Sequence, residues 1–392
     1  MSHQLRGAVS IAGIGESQVG RVPDRSSVQL HAEVVIQAAG DAGIGLDEID
    51  GLITANSRVD PYLYHAEMIA EYLGIRPSHC LTVNTGGSTS AALLQHAAGL
   101  LLTGVCRAVV IAKADNLATG MGRDATIASM ATIGHPQFEA PTGPLIPALY
   151  ALVAARYMHE TGVRPEHIAE VAVVDRAHAM LNPAAQFRSP LSVEDVLSSR
   201  LIADPLHMLE CAPVSDGGAA VLVTTAERAA DLARRSVHLL GIGEAHAFEH
   251  VSQAPELGRT AAGESGATAF GMAGLRCADI DVAMIYDAFT FIQCMQLEDL
   301  GFCSRGEGGE FVAAGHTRLG GQLPTNTHGG VLSHSHAGKP SGLFLLTEAV
   351  QQLRGNCDDR QVPGARTALV HTEGGILASH CTAILGTDEV LS

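Results

Sequence analysis

The sequence predicts an α/β protein made of two similar halves packed together, and two repeated segments carry that prediction. A short apolar strand with glycines, VSIAGIGES at 9–17, returns as VHLLGIGEA at 237–245. The stretch DAGIGLDEIDGLITAN at 41–56 is answered by MAGLRCADIDVAMIYDAF at 272–289. Ala42–Gly43 and Ile49–Asp50 match Ala273–Gly274 and Ile280–Asp281 at one offset of 231. A glycine closing a helix, then an apolar run after Ile-Asp, makes a strand–helix–strand unit in each half. The period is far too long for a solenoid, whose units run about 20–50 residues. Two α/β halves sharing a core are the natural reading.

The elements follow in order. Ser26 or Ser27 caps a helix whose apolar positions Leu30, Val34 and Ala38 recur every four residues. HCLTV (79–83) reads as a strand, and STSAALLQHAAGLLLT (88–103) as a helix apolar on nearly every face, hence buried between layers. RAVVIAK (107–113) is the next strand. Residues about 116–200, rich in Pro, Met, His and Arg, fall outside the duplicated pattern and read as a partly helical insertion, either a cover for a site or a surface excursion. In the second half GLFLLTEAVQQLRG (342–355) is a comparable helix, leading to the strand TALVH (367–371). The expected division is 1–230 and 231–392.

Composition bounds the function. The 392 residues are 46% hydrophobic, with 43 glycines and no tryptophan, and carry a net charge of −17. That charge repels nucleic acid and anionic membranes, although a local basic spot can still hold a phosphorylated ligand. No charged-then-apolar leader and no apolar run of about 18 residues is found, so neither a signal peptide nor a membrane span is expected. Eight cysteines stand without CxxC or zinc-finger spacing and read as reduced, mostly buried thiols of a cytoplasmic protein.

Four stretches carry candidate chemistry. GIGES and GIGEA begin like a dinucleotide fingerprint, but Gln18 and His246 leave GxGxxG incomplete, and two copies point to a structural turn. VNTGGSTSAALL (83–94) puts Gly86, Gly87 and Ser88 at a helix start, where backbone N–H groups favour an anion; a plain capped turn is the alternative. In MIYDAFTFIQC (284–294), Tyr286 and Asp287 sit at a strand end, where α/β sites gather, or else Asp287 is a helix cap. LPTNTHGGVLSHSHAGKPSG (323–342) holds Asn326, His328, Gly329, Gly330, His334 and His336. Histidine suits proton transfer near neutral pH, and the HxH pair lacks the acidic companion a metal site needs. LVHTEGGILASHC (369–381) adds His371, Gly374 and Gly375. No nucleophile elbow or P-loop occurs.

Together these features resemble the thiolase superfamily, particularly the sterol-carrier-protein-type thiolases and lipid-transfer thiolase-like proteins. The resemblance spans nearly the whole chain: the duplication, the first-half insertion, SDGGAAVLV (215–223), and YDAF, GEGG, NTHGG and HAG in order. It implies two βαβαβαββ halves in five α/β/α/β/α layers, a homodimer meeting near 79–83, and an acyl-CoA thioester substrate without a covalently bound cofactor or metal. The family's nucleophilic cysteine falls on Gly87, with Ser88 one place late. The Gly-His-Pro motif falls on Ser335–His336–Ala337. The late Cys-x-Gly motif falls around His371–Gly374 and contains no cysteine. Thiolysis needs a thiolate, whereas an aldol or retro-aldol step needs only a base and an enolate acceptor. The resemblance therefore implies carbon–carbon bond chemistry without an acyl-enzyme, as in the side-chain aldolases of this family, which work with a small OB-fold, DUF35-type partner. An atypical acetyl-CoA acyltransferase and a silent acyl-CoA-binding scaffold are the alternatives. The catalytic candidates are His336, Tyr286, His371 and Ser88. Gly86, Gly87, Asp287, Asn326, His328, Gly329, Gly330, Gly374 and Gly375 are expected to bind substrate. His336, Tyr286 and His371 are expected to converge over the Gly86–Ser88 turn, under the insertion. The missing cysteine side chain is expected to leave room for a bulkier acyl group.

Overall fold

The structure is a computed structural model that describes residues 5–391. Nine strands form one mixed sheet: β1 (Val9–Glu16), β2 (Gly51–Thr54), β3 (His79–Thr82), β4 (Ala108–Asn116), β5 (Asp216–Thr225), β6 (Val237–His246), β7 (Val282–Ile285), β8 (Thr367–Gly374) and β9 (Ser379–Gly386). Their order is β3-β2-β4-β5-β1-β6-β9-β8-β7. Taking β6, β7, β8 and β9 as the counterparts of β1, β2, β4 and β5, the order reads the same from either edge. At the centre β1 meets its counterpart β6 antiparallel, Ser10 opposite His238 and Ile11 opposite Val237. A single parallel bridge, Ala283 to Thr325, stands on β7 where β3 stands on β2. The segments 9–17 and 237–245 thus hold equivalent places.

Five layers follow from the helices. α1 (Ser27–Ala42) covers one outer face, opened by a capping box between Ser26 and Gln29 that satisfies two free backbone N–H groups. Leu30, Val34 and Ala38 are buried, as the four-residue spacing predicts. α5 (Ala262–Ala273) covers the equivalent outer face of the second half. Between the half-sheets lie α2 (Thr89–Leu102) and α7 (Ser341–Arg354), buried against each other and both halves. They come so close that a Cβ on Gly342 would stand 2.7 Å from Ser90 Oγ.

The repeated GxG is not a turn. Both glycine pairs lie inside strands, under the outer helices. A Cβ on Gly13 or Gly15 would come within 2.1 and 2.3 Å of the Ala38 and Val34 carbonyls, and one on Gly241 or Gly243 within 2.2 Å of the Ala269 and Ser265 carbonyls. Only glycine lets α1 and α5 rest directly on the sheet. Gly43 and Gly274 close these helices with φ of +76° and +66°, the left-handed end that glycine takes without strain.

The insertion is mostly helical. α3 (Ile146–Thr161) and α4 (Pro165–Met180) bury their apolar sides, with Tyr157 fully buried and its hydroxyl bound to Glu298 of α6 (Thr290–Asp299). Among the described residues no helix is long and apolar enough to cross a membrane.

Candidate active site

A cavity of about 870 Å³ opens where the two halves meet. Three segments build its floor. The Asn84–Gly87 turn leads into α2, the end of β7 supplies Tyr286, and the end of β8 supplies Glu373, Gly374 and Gly375. The segment before α7 adds His336 and Lys339, and Arg58 comes from the loop after β2. The insertion forms much of the wall with Leu117, Met121, Met130, Ile133, Ile146 and Tyr150. The insertion therefore covers the site and is no surface excursion.

The glycine pairs from the two halves interlock. A Cβ on Gly86, whose φ is +68°, would stand 2.7 Å from the Gly375 nitrogen. A Cβ on Gly87 would stand 2.2 Å from the Glu373 carbonyl oxygen and 3.1 Å from the Tyr286 ring. The missing side chain at 87 therefore leaves no space: backbone and a phenol fill the place where room for an acyl group was expected.

Tyr286 and His336 form the polar centre. The phenol oxygen lies 3.0 Å from His336 Nε2. Burial lowers the His336 pKa to about 4, helped by the nearby Arg58 charge and opposed by the Pro213 carbonyl. The imidazole is neutral at pH 7. Burial, and then the neighbouring Glu373, push the Tyr286 hydroxyl above its ordinary range, so it keeps its proton. His336 is pinned through its backbone: its N–H donates to Ser215 Oγ at 3.2 Å, and its carbonyl accepts from the Ser215 N–H at 3.1 Å.

Glu373 is a group that motif reading missed. Burial raises its carboxyl to about 7, against the lowering pull of the Tyr150 hydroxyl and the Leu377 N–H. Tyr150 donates to Oε1 at 2.8 Å, and the buried Oε2 has no partner within hydrogen-bonding geometry. An acidic residue at the end of a fully buried strand, directly before a glycine pair, was the signal available in HTEGG.

Of the residues expected from the sequence, the structure brings Tyr286, His336, Gly86, Gly87, Gly374 and Gly375 to this cavity. It does not bring the others. Ser88 is buried beneath the floor, its hydroxyl held by the Thr85 carbonyl at 2.6 Å, with no base beside it. His371 is sealed inside the sheet, its Nδ1 2.8 Å from Thr382 Oγ1 and its Nε2 3.2 Å from His380. Burial and then His380 keep its ring uncharged. Asp287 caps neither α6 nor a ligand: it accepts from the Val331 and Leu332 N–H groups at 2.8 and 3.1 Å, holding the single π-helical turn Gly330–His334. Gly330, with φ +62°, lies against that carboxylate, and Gly329, with φ +112°, against Ala179, so both serve backbone packing. Asn326, at φ +55°, binds both backbone groups of Ile285 and steadies the end of β7. His328 packs on His334 inside the core, ring centroids 5.1 Å apart and planes tilted by 45°, and is held neutral by burial first. The HxH pair is split: His336 faces the cavity and His334 packs on Phe344.

Of the eight cysteines, Cys211 alone lines the cavity. Its thiol donates to the His207 carbonyl at 3.2 Å and is pushed up to about 12, mainly by burial. It is not a ready thiolate.

Comparison with known proteins agrees with this geometry. Residues 243–387 match the family described as Thiolase C-terminal domain-like. The chain is 35% identical to the steroid side-chain-cleaving aldolase of Thermomonospora curvata, over 98% of this chain and 99% of that one. It is likewise 35% identical to the 17-hydroxy-3-oxo-4-pregnene-20-carboxyl-CoA lyase of Mycobacterium tuberculosis, over 96% and 98%. Among solved structures, an Ltp2-ChsH2(DUF35) aldolase superposes with a TM-score of 0.86 at 35% identity, covering 99% of this chain and all of that one. The chain belongs to the thiolase superfamily, among its sterol-carrier-protein-type members.

Proposed function

We propose that this protein cleaves or forms a carbon–carbon bond next to the thioester of an acyl-CoA, by an aldol or retro-aldol step and without an acyl-enzyme. The observation that carries the reading is the cavity's chemistry: a phenol and a neutral imidazole 3.0 Å apart, with no thiolate among the lining residues. A retro-aldol step turns the thioester into an enolate. Tyr286, kept protonated and hydrogen-bonded to His336 Nε2 in the free protein, is suited to turn its O–H from that ring to the developing oxyanion. Donors fixed in a water-poor site stabilise such charge far more than water does. Arg58 and Lys339, on the same wall, add positive charge, which favours an enolate or the phosphates of CoA. The step breaks or forms one carbon–carbon bond and moves one proton with no net oxidation or reduction, so it calls for no redox cofactor.

The names of the 35% identical relatives, a side-chain-cleaving aldolase and a carboxyl-CoA lyase, support the same class of reaction here. The apolar wall from the insertion supports a bulky acyl group, and the DUF35 in the related aldolase's name supports a partner of that type. β3 ends the sheet with every residue half-exposed, which supports a homodimer joined at that strand. The test is incubation with a panel of tertiary 3-hydroxyacyl-CoA thioesters. A shortened acyl-CoA and an equimolar ketone are expected, with no acyl adduct on the protein by mass spectrometry. A trapped acyl-enzyme would overturn the reading in favour of acyl transfer, and a protein that binds acyl-CoA but turns over nothing would favour the scaffold.

A further inference from the structure

The proposed step needs a group that takes the proton of the β-hydroxyl and gives it back to carbon. His336 is poorly placed for this, because its Nε2 is engaged with Tyr286. Among the other acceptors on the cavity wall, His246 and Glu249 are exposed, and His246 is engaged with Ser379 and Glu244, whereas Glu373 is buried at the floor. Glu373 sits at the end of β8, where its backbone carbonyl packs on Gly87 and its carboxyl meets Tyr150. One carboxyl oxygen is satisfied and the other is buried without a partner, a costly arrangement that a substrate hydroxyl would relieve.

We infer that Glu373 is the catalytic base of the reaction proposed above, taking the β-hydroxyl proton through Oε2 and returning it to Cα, and that Tyr150 of the insertion positions it. The inference rests on that retro-aldol reading. As the O–H proton moves to Oε2, the Cβ–O bond becomes a carbonyl and the Cα–Cβ bond breaks. Its electron pair enters the thioester as an enolate, held by the Tyr286 hydroxyl. Glu373 then delivers the same proton to Cα, giving a ketone and a shortened acyl-CoA. No oxidant, reductant or water is consumed, and the carboxyl ends in its starting state.

A carboxyl poised near 7 can both accept and donate at neutral pH. The ionisable groups facing it are Tyr150 from α3 and Tyr286 from the end of β7, with Arg58 and Lys339 on the same cavity wall. His380, opposite it on β9, turns its ring to His371 and the Leu377 carbonyl. Both tyrosines stay protonated because burial raises them. Tyr150 donates to the charged carboxylate and so lowers its pKa; without that hydroxyl the carboxyl moves higher.

The test needs no knowledge of the natural acyl group. The full-length protein is incubated with propionyl-CoA in deuterated water, and exchange of the Cα protons is followed by NMR. The wild type is expected to exchange them, Glu373→Gln to be slower by at least about a hundredfold, and Tyr150→Phe to shift the acidic limb of the rate profile to higher pH. Glu373→Gln keeps the shape of the side chain and an acceptor for Tyr150, and its melting temperature reports that it is folded. Exchange by Glu373→Gln at the wild-type rate overturns the assignment, as does a wild type that does not exchange. Exchange that depends on Glu373 without cleavage of any 3-hydroxyacyl-CoA leaves Glu373 as the base and removes the carbon–carbon reading instead.

Discussion

The two helices of the middle layer, α2 and α7, occupy equivalent places, yet the turns that lead into them do different work. The turn before α2 offers Gly86 and Gly87, without side chains, and Ser88 tied to its own backbone. The turn before α7 offers His336 and Lys339, both in the cavity wall. The first supplies shape and backbone amides; the second supplies ionisable side chains. A duplicated fold sets two equivalent helix starts beside one cavity, and here Tyr286, His336 and Glu373 reach it from the second half and Tyr150 from the insertion.

The largest effect is expected where the chemistry is concentrated. Tyr286→Phe should lower kcat by about two to four orders of magnitude, the usual loss when an oxyanion group is removed, and His336→Ala should approach that loss by leaving the Tyr286 hydroxyl without its partner. Affinity for a non-hydrolysable acyl-CoA, measured by calorimetry, should change little. Steady-state kinetics on a cleaved 3-hydroxyacyl-CoA check the first part. A variant at Ser88 that proved as damaging as one at His336 would reverse the comparison between the two turns.

Restoring a cysteine to the first turn sharpens it further. Gly87→Cys puts a Cβ 2.2 Å from the Glu373 carbonyl oxygen and 3.1 Å from the Tyr286 ring. Overpacking of this kind costs about 1–3 kcal/mol, and here it also displaces both catalytic candidates. Lower thermal stability, loss of activity and no thiolysis are expected. A stable variant that forms an acyl-enzyme would show that the two turns are interchangeable.

Much of this architecture was legible in the sequence because it rests on periodicity and backbone demands. The 231-residue offset marks two helix ends that need a left-handed glycine, and the repeated GxG marks two places where a helix touches a strand. The site was harder to read. Asn326, His328, His371 and Asp287 are polar residues beside glycines, as catalytic residues often are, but Asn326 and Asp287 hold buried backbone groups, His371 meets Thr382 and His380, and His328 packs on His334 inside the core. Sequence spacing cannot separate a polar group that faces a cavity from one that closes a core. Glu373 lies only two residues beyond His371, and what distinguishes it is Tyr150, 223 residues away.

The pH dependence of folding follows from the same carboxyl. The Glu373 pKa is raised from 4.5 to about 7, so the native state holds this proton more tightly than the unfolded chain does. The stabilising contribution is fully present below pH 4.5 and is lost as pH rises through 7, at a cost of up to about 3 kcal/mol. Glu373→Gln cannot ionise and escapes that loss. Its stability relative to wild type, from urea denaturation, should improve between pH 5 and pH 7 and level off above that. A difference that stays flat with pH would show that the carboxyl titrates normally.

The smallest effects belong to the residues that give the floor its shape. Ser88→Ala removes one donor to the Thr85 carbonyl, a loss worth about 1 kcal/mol in stability, and should leave kcat near wild type because Ser88 does not reach the cavity. Cys80→Ala and Cys381→Ala should be close to silent in activity: Cys80 lies on the edge strand, Cys381 is sealed within β9, and neither lines the cavity. Measured together, these three variants ask whether any side chain near the α2 turn, or any thiol away from the cavity, takes part in the reaction. Activity that survives all three while His336→Ala abolishes it places the reacting groups on the second half. Loss of activity with either cysteine variant, in a protein that still melts at the wild-type temperature, would mean that a thiolate reaches the substrate from outside the cavity described, and the reaction without an acyl-enzyme would have to be abandoned.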